Sequence, residues 1–425
     1  MSKRSHSTGK PFNPETLALG YGYEPRLSEG AVKPPVFLTS TFQFASAEDG
    51  KRFFELAYGL REPDDGEQQG LIYSRLNNPN MQIFEERMAA WDQCELGATF
   101  ASGMAAISTT MLALLRPGDV VISTEPIYGG TYYLFRHILS EYGIDVRLVA
   151  AGDDAPARMR EAAEQAGAAR VRVLYLETPA NPNLVHTDIA AIAQLGADLR
   201  AAHGGAVTTV VDNTLLGPLF QLPATMGADI VIYSATKFIG GHSDLIAGVA
   251  SGPRELMVKV LSMRTILGTG ATPFNGWLLL RSLETLSVRM RRQQKNARAL
   301  AQLLAEHPMV ESVSYPGLLA PNEPQHALWQ KQCTGSGSMI AFHIKGGQAA
   351  AYRVLDSFEV ARLAVSLGGT ETLVEHPMTM THADVPPAEL EARGVGPGLI
   401  RMSVGLEHLS DLKRDLVHAL RAAEG

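Results

Sequence analysis

The chain has 425 residues, a formal net charge of −7, and 45% hydrophobic against 19% charged residues. That composition suits a globular protein of two or three domains and leaves no basic footprint for nucleic acid or anionic lipid. Two distant cysteines, Cys94 and Cys333, and histidines without ligand spacing argue against a disulfide framework or a metal site, and with no signal core or ~20-residue apolar run a cytoplasmic location is expected.

Residues 1–78 read as an extended N-terminal arm and inter-subunit loop, rich in Pro and Gly, with "REPDDGEQQG" (61–70) as an exposed acidic loop. A regular alternation follows. "NMQIFEERMAAWDQC" reads as a helix, "GATFAS" as a strand, "GMAAISTTMLALL" as a helix and "DVVISTE" as a strand. "GTYYLFRHILSEYG" is helical, "DVRLVA" extended, "APARMREAAEQA" helical and "VRVLYLETP" extended. After the helix "TDIAAIAQLGADLRAAHG" come the strands "AVTTVVDNT" and "ADIVIYSAT". Strands rich in β-branched residues, separated by helices, predict an α/β domain with a mostly parallel sheet, here assigned to 79–275. From 276 to 425 the pattern becomes α+β: a long amphipathic helix or bent pair (275–308), then short strands at "SVSYPG", "SMIAFHIKG", "AVSLGG" and "GLIRMSVGLE", with helices among and after them.

In a parallel sheet, ligands bind beyond the carboxyl ends of the strands. The residues there are unusual. Ser102-Gly103 opens a helix, whose free N–H groups suit an anion. Tyr128 precedes a Gly pair, placing an aromatic plate. "ETPANP" (177–182) carries Glu177 and Asn181. Asp212 ends an apolar strand, an expensive place for an acid without a partner. "YSATK" brings Ser234, Thr236 and Lys237. Taken singly, each has a plain alternative: a turn, a helix cap, a solvated lysine. Together they match what pyridoxal phosphate requires: an amine for a Schiff base, an acid at the ring nitrogen, a stacked aromatic, and a phosphate cup.

On these motifs the chain resembles the transsulfuration group of pyridoxal-phosphate enzymes of fold type I, which includes cystathionine γ-synthase, cystathionine and methionine γ-lyases, and homocysteine-forming sulfhydrylases. The motifs are "YSRLNNPN" (73–80), "SGMAAI" (102–107), "YGGT" (128–131), "ETPANP" (177–182), "VDNT" (211–214), "YSATKFIGGHSD" (233–244), "SLGGTETLVEHP" (366–377), "MTH" (380–382) and "RMSVGLE" (401–407). The resemblance implies a seven-stranded-type large sheet and a smaller α+β C-terminal domain. It implies that Lys237 bonds the cofactor and shuttles protons, that Asp212 binds the ring nitrogen, and that Tyr128 stacks and assists the leaving group. Ser102, Gly103, Met104, Ser234 and Thr236 would hold the phosphate, and Asn181 would lie near the phenolic oxygen. Arg401 and Ser366 would take the substrate α-carboxylate; alone, Arg401 would equally suit pairing with a structural acid. Tyr73 and Arg75 would reach the phosphate of a neighbouring subunit's cofactor, giving shared sites in a homotetramer of tight dimers. His242 and His382 receive no catalytic role.

Three departures from the family's pattern matter, and a further marker at Gly130 disagrees with the last of them. Asn77 and Asn80 replace the family's usual glycine and threonine, and the stretch before Tyr73 is long. Val365 stands where cystathionine-handling members typically carry a glutamate, which resembles methionine γ-lyases. Gly130 stands where dedicated methionine γ-lyases often carry a cysteine. The expectation is γ-elimination on methionine, homocysteine, canavanine or an O-acylhomoserine, with 2-oxobutanoate and ammonia released; γ-replacement by a thiol is the alternative. A binding protein on a retired enzyme scaffold would lack Lys237 or Asp212, and both are present.

Overall fold

The computed structural model describes residues 11–64, 67 and 69–423. The first ten residues of the expected arm, three residues of the 61–70 loop (65, 66 and 68), and the last two of the chain lie outside the described residues.

The large sheet is built from β1 (Leu96–Phe100), β2 (Val120–Glu125), β3 (Asp145–Ala150), β4 (Val171–Glu177), β5 (Thr208–Asp212), β6 (Ile230–Tyr233) and β7 (Gly248–Gly252), in the spatial order β1-β7-β6-β5-β4-β2-β3. Only β7 runs antiparallel to its neighbours. The central strands are apolar on both faces, as a helix-covered parallel sheet demands. Val121, Val173, Tyr175 and Val210 point into one core, with Phe100 and Phe135. Their sequence neighbours Val120, Ile122, Leu174, Leu176 and Val211 point into the other, with Met159 and Ile189. This period-2 division fixes the register, so every parallel strand ends at one edge.

A second sheet holds β8 (Val310–Ser314), β9 (Met339–Ile344), β10 (Arg362–Leu363), β11 (Leu373–Glu375) and β12 (Leu399–Ser403), in the order β10-β11-β12-β9-β8. Helices Leu286–Glu306, Gly347–Asp356 and Leu409–Arg421 share its core. In the last of these, Leu412, Leu416, Ala419 and Leu420 form the buried stripe, at helical spacing. Residues 275–308 form the bent pair, Pro273–Leu283 followed by Leu286–Glu306.

Three readings are corrected. The N-terminal region is not wholly extended: it contains helices Pro14–Gly20 and Ala47–Ala57. The second is capped by Ser46, whose Oγ accepts from Asp49 N at 3.0 Å. "AVSLGG" is not a strand. The short β10 precedes it, and Ser366 turns with φ 98, a left-handed conformation that no apolar pattern reveals. The strand β7, "GVASG", has no counterpart among the expected elements because small residues rather than a β-branched run form it. A Cβ on Gly248 would come within 2.2 Å of Ser102 O, so this strand is selected for close approach to the loop after β1.

Candidate active site

The carboxyl ends of the large sheet and β11–β12 of the small one enclose a cavity of about 440 Å³. Twelve of the residues singled out from sequence line it. Ser102, Gly103, Met104, Ser234, Thr236 and Lys237 form one part of the wall. Tyr128, Asn181, Asp212, Val365, Ser366 and Arg401 form another. Tyr73 and Arg75 do not line it. Tyr73 is 42% exposed, and Arg75 Nη1 donates to Thr265 O at 2.7 Å.

Lys237 stands in the turn after β6, and its Nζ donates to Ser366 Oγ at 2.7 Å. Burial, then the nearby Arg401 cation, brings its ammonium down to about 8, with Glu375 opposing. A free amine is thus accessible near neutral pH. The turn is anchored from behind by Arg289, which donates from Nη1 to Phe238 O at 2.8 Å and from Nη2 to Ser282 O at 2.9 Å. Gly241 makes that possible, since a Cβ there would lie 1.8 Å from Arg289 Nη1. The "GG" after Lys237 is therefore a seat for a buried arginine.

Glu177 and Asp212 end adjacent parallel strands in register. Asp212 Oδ1 accepts from Thr214 N at 3.0 Å and Thr214 Oγ1 at 2.6 Å, and Tyr175 OH lies 3.4 Å from Oδ2. Glu177 Oε2 accepts from Tyr128 N at 2.8 Å, which ties the loop after β2 to β4. Burial pushes both carboxyl groups up, Glu177 further because Asp212 lies beside it. Among the described residues, neither acid makes a salt bridge.

From the small sheet, β11 and β12 place Glu375 opposite Arg401. Arg401 Nη2 is 2.9 Å from Glu375 Oε1 and donates to Ser366 O at 2.9 Å, while Nη1 donates to Asn181 Oδ1 at 3.0 Å. Arg401 thus pairs with a buried acid and also lines the cavity. Asn181 spends its carbonyl oxygen on Arg401. His382, 1% exposed, has Nδ1 3.1 Å from Thr381 Oγ1. Burial lowers its imidazolium to about 4, so it is neutral at ordinary pH.

The donor set fits pyridoxal phosphate. Two buried acids that make no salt bridge among the described residues, Asp212 above all, accommodate a protonated ring nitrogen. Gly103 and Met104 lie in the first turn of helix Gly103–Leu114, where N–H groups have no intrahelical acceptor. Ser234 and Thr236 bring hydroxyls to the same wall, and Tyr128, 43% exposed, presents its ring. Sequence reasoning quoted Glu177 without giving it a role, and did not weigh Glu375, Thr214, Ile246, Met380 or Arg289. For the two acids the signal was available: each closes an apolar strand, the feature that singled out Asp212.

The comparisons with known proteins agree with this geometry. Residues 15–421 match the family described as Cys/Met metabolism PLP-dependent enzyme. The L-methionine γ-lyase of Pseudomonas deceptionensis is 40% identical over 97% of this chain and 98% of its own. The cystathionine γ-lyase of Sus scrofa is 39% identical, over 96% and 93%. The crystal structure of cystathionine γ-synthase from Xanthomonas oryzae pv. oryzae in complex with cystathionine superposes with a TM-score of 0.85 at 34% identity, covering 98% of this chain and 99% of that one. With the lysine, the acid pair and the anion-binding helix end in one cavity, and with these relatives along its length, the chain belongs to the Cys/Met metabolism PLP-dependent enzymes.

Proposed function

We propose that the protein catalyses γ-elimination on an L-amino acid with an uncharged, apolar γ-substituent, L-methionine first among them. The observation that carries this reading is the cavity's outer lining: Val365 and Ile246, 56% and 62% exposed, with Met380. Among the described residues the charged groups of the lining are Lys237, Asp212, Glu177 and Arg401. None is left over to meet a distal ammonium or carboxylate on the substrate. Methionine γ-lyases among the relatives support the same choice.

Pyridoxal phosphate, when bound, supplies an electron sink for carbanions next to the substrate nitrogen. Lys237 would hold it by its amine, Asp212 would meet the ring nitrogen, Tyr128 would stack, and Ser102, Gly103, Met104, Ser234 and Thr236 would hold the phosphate. Arg401 receives the substrate α-carboxylate, beside Ser366, and so orients the Cα–H bond toward Lys237. The Lys237 amine takes the Cα proton, gives it up to the electron sink that the cofactor would supply, and, free again, takes a Cβ proton; its lowered basicity suits both giving and taking. Tyr128 OH protonates the departing γ-thiolate. Water then completes release of 2-oxobutanoate and ammonia. Asn181 positions Arg401.

Tyr73 and Arg75, outside their own chain's cavity, serve the cofactor phosphate of a second copy, in a homotetramer of tight dimers. Among the described residues no helix is long and apolar enough to cross a membrane.

The test is release of 2-oxobutanoate and ammonia from methionine, homocysteine, cystathionine, O-acetylhomoserine, O-succinylhomoserine and canavanine, each with and without added thiol. Methionine is expected to be the best single substrate. Negligible keto acid, with a new thioether formed only when thiol is added, would make the protein a γ-replacement enzyme instead.

A further inference from the structure

Arg401, on the reading that it receives the substrate α-carboxylate, already holds a carboxylate. A guanidinium has five N–H donors. Nη2 donates to Ser366 O at 2.9 Å and lies 2.9 Å from Glu375 Oε1 as an ion pair. One hydrogen of Nη1 is on Asn181 Oδ1 at 3.0 Å. Side-on and end-on bidentate binding of an incoming carboxylate each need Nη2. The incoming group therefore arrives at a nitrogen that already donates to Ser366 O and already has the Glu375 carboxylate 2.9 Å away.

Glu375 is 1% exposed and Arg401 is 3% exposed, so little water screens the pair. Glu375 is held by Thr381, whose Oγ1 donates to Oε1 at 2.9 Å. Its Oε2 is buried without a hydrogen-bond partner among the described residues. A buried ion pair kept only for stability is expected to satisfy its remaining lone pairs, because an unmade bond there is costly. Here Oε1 takes both the Thr381 hydrogen bond and the Arg401 ion pair, while Oε2 has no hydrogen-bond partner among the described residues. The carboxylate is placed against the guanidinium, not optimised for itself.

We propose that Glu375 is a specificity-determining residue: a resident counter-carboxylate that competes with incoming anions for Arg401. An arriving carboxylate meets a neutralised pair rather than a free cation, and it meets the negative charge of Glu375 as well. An amino acid compensates through its amine, which bonds within the site. A carboxylate without an α-amine has no such compensation. The site therefore discriminates against simple carboxylates, and a 2-oxo acid product leaves easily.

The test is calorimetric titration of the holoenzyme with butanoate, an unreactive monocarboxylate. Glu375→Gln keeps an acceptor for Arg401 and removes the charge; it is expected to bind butanoate roughly tenfold more tightly than the unaltered protein, about 1.4 kcal/mol in binding free energy. Glu375→Asp restores the charge and is expected to return toward weak binding, which a merely structural role would not produce. If Glu375→Gln does not give a folded holoenzyme, Glu375→Ser removes the same charge with a smaller side chain and carries the same expectation. Binding by the folded neutral variant no tighter than by the unaltered protein overturns the proposal. The double variant Glu375→Gln/Arg401→Gln removes the pair together and is expected to lose the tightened binding. Tight butanoate binding that persists there would instead refute Arg401 as the carboxylate receptor, a separate failure.

Discussion

The two sheets bring charge to the cavity in opposite ways. In the large sheet, β4 and β5 set Glu177 beside Asp212, two buried acids in register with no salt bridge among the described residues. In the small sheet, β11 and β12 set Glu375 beside Arg401, two opposite charges 2.9 Å apart. The first arrangement is unfavourable by itself, because burial and like charge both oppose ionisation. It becomes favourable when a ligand brings a cation. The second is complete before any ligand arrives, so the ligand must compete. On the proposed reading, the pair without a salt bridge would hold the cofactor and the ion pair would select the substrate.

That contrast is open to direct attack, most strongly at Asp212. Asp212→Asn removes the charge proposed to meet the ring nitrogen, and turnover is expected to fall roughly 100-fold, with weaker cofactor retention. Glu177→Gln mimics a neutral carboxyl, and its amide oxygen still accepts from Tyr128 N. Turnover there is expected to change less than about tenfold, by the same scale of electrostatic effects. Equal losses in both variants, measured as kcat with methionine, would show that the two acids are not divided into one charged and one neutral. Smaller still is the effect expected at Tyr73, which stands outside its own cavity. On the proposed shared site Tyr73→Phe would remove one phosphate hydrogen bond, so cofactor loss on dialysis is expected to rise about threefold. Unchanged retention would remove the support for a shared site.

The large-sheet half of the site was legible in the sequence because its signals are local. β-branched runs between helical stretches identify a parallel edge, and Asp212 and Lys237 follow such runs directly. The small-sheet half was less legible. Nothing in "TLVEHP" states that Glu375 will face Arg401, since that pairing arises from an antiparallel register across 26 positions of chain. Ser366 had its side chain assigned through a resemblance, while its contribution to Arg401 is a carbonyl placed by φ 98. Such a backbone torsion leaves no composition signal. β7 escaped for a related reason: Gly248 is chosen for what it omits, a Cβ that Ser102 O would meet. The helix Ala47–Ala57 had a readable cap in Ser46 and Asp49, obscured by the Pro- and Gly-rich residues before it.

The account rests on Lys237 as the amine that takes up the cofactor, and one measurement addresses it. Protein freed of cofactor is mixed with pyridoxal phosphate at a series of pH values, reduced with borohydride after a short interval, and digested for peptide mass analysis. The neutral amine is the reacting form and burial lowers its ammonium to about 8, so labelling should rise as pH passes through about 8 rather than through the ordinary lysine value of 10.5. The predicted result is a reduced pyridoxyl group on Lys237 with that profile. A label on another lysine, or a protein that takes up no pyridoxal phosphate, would contradict the account.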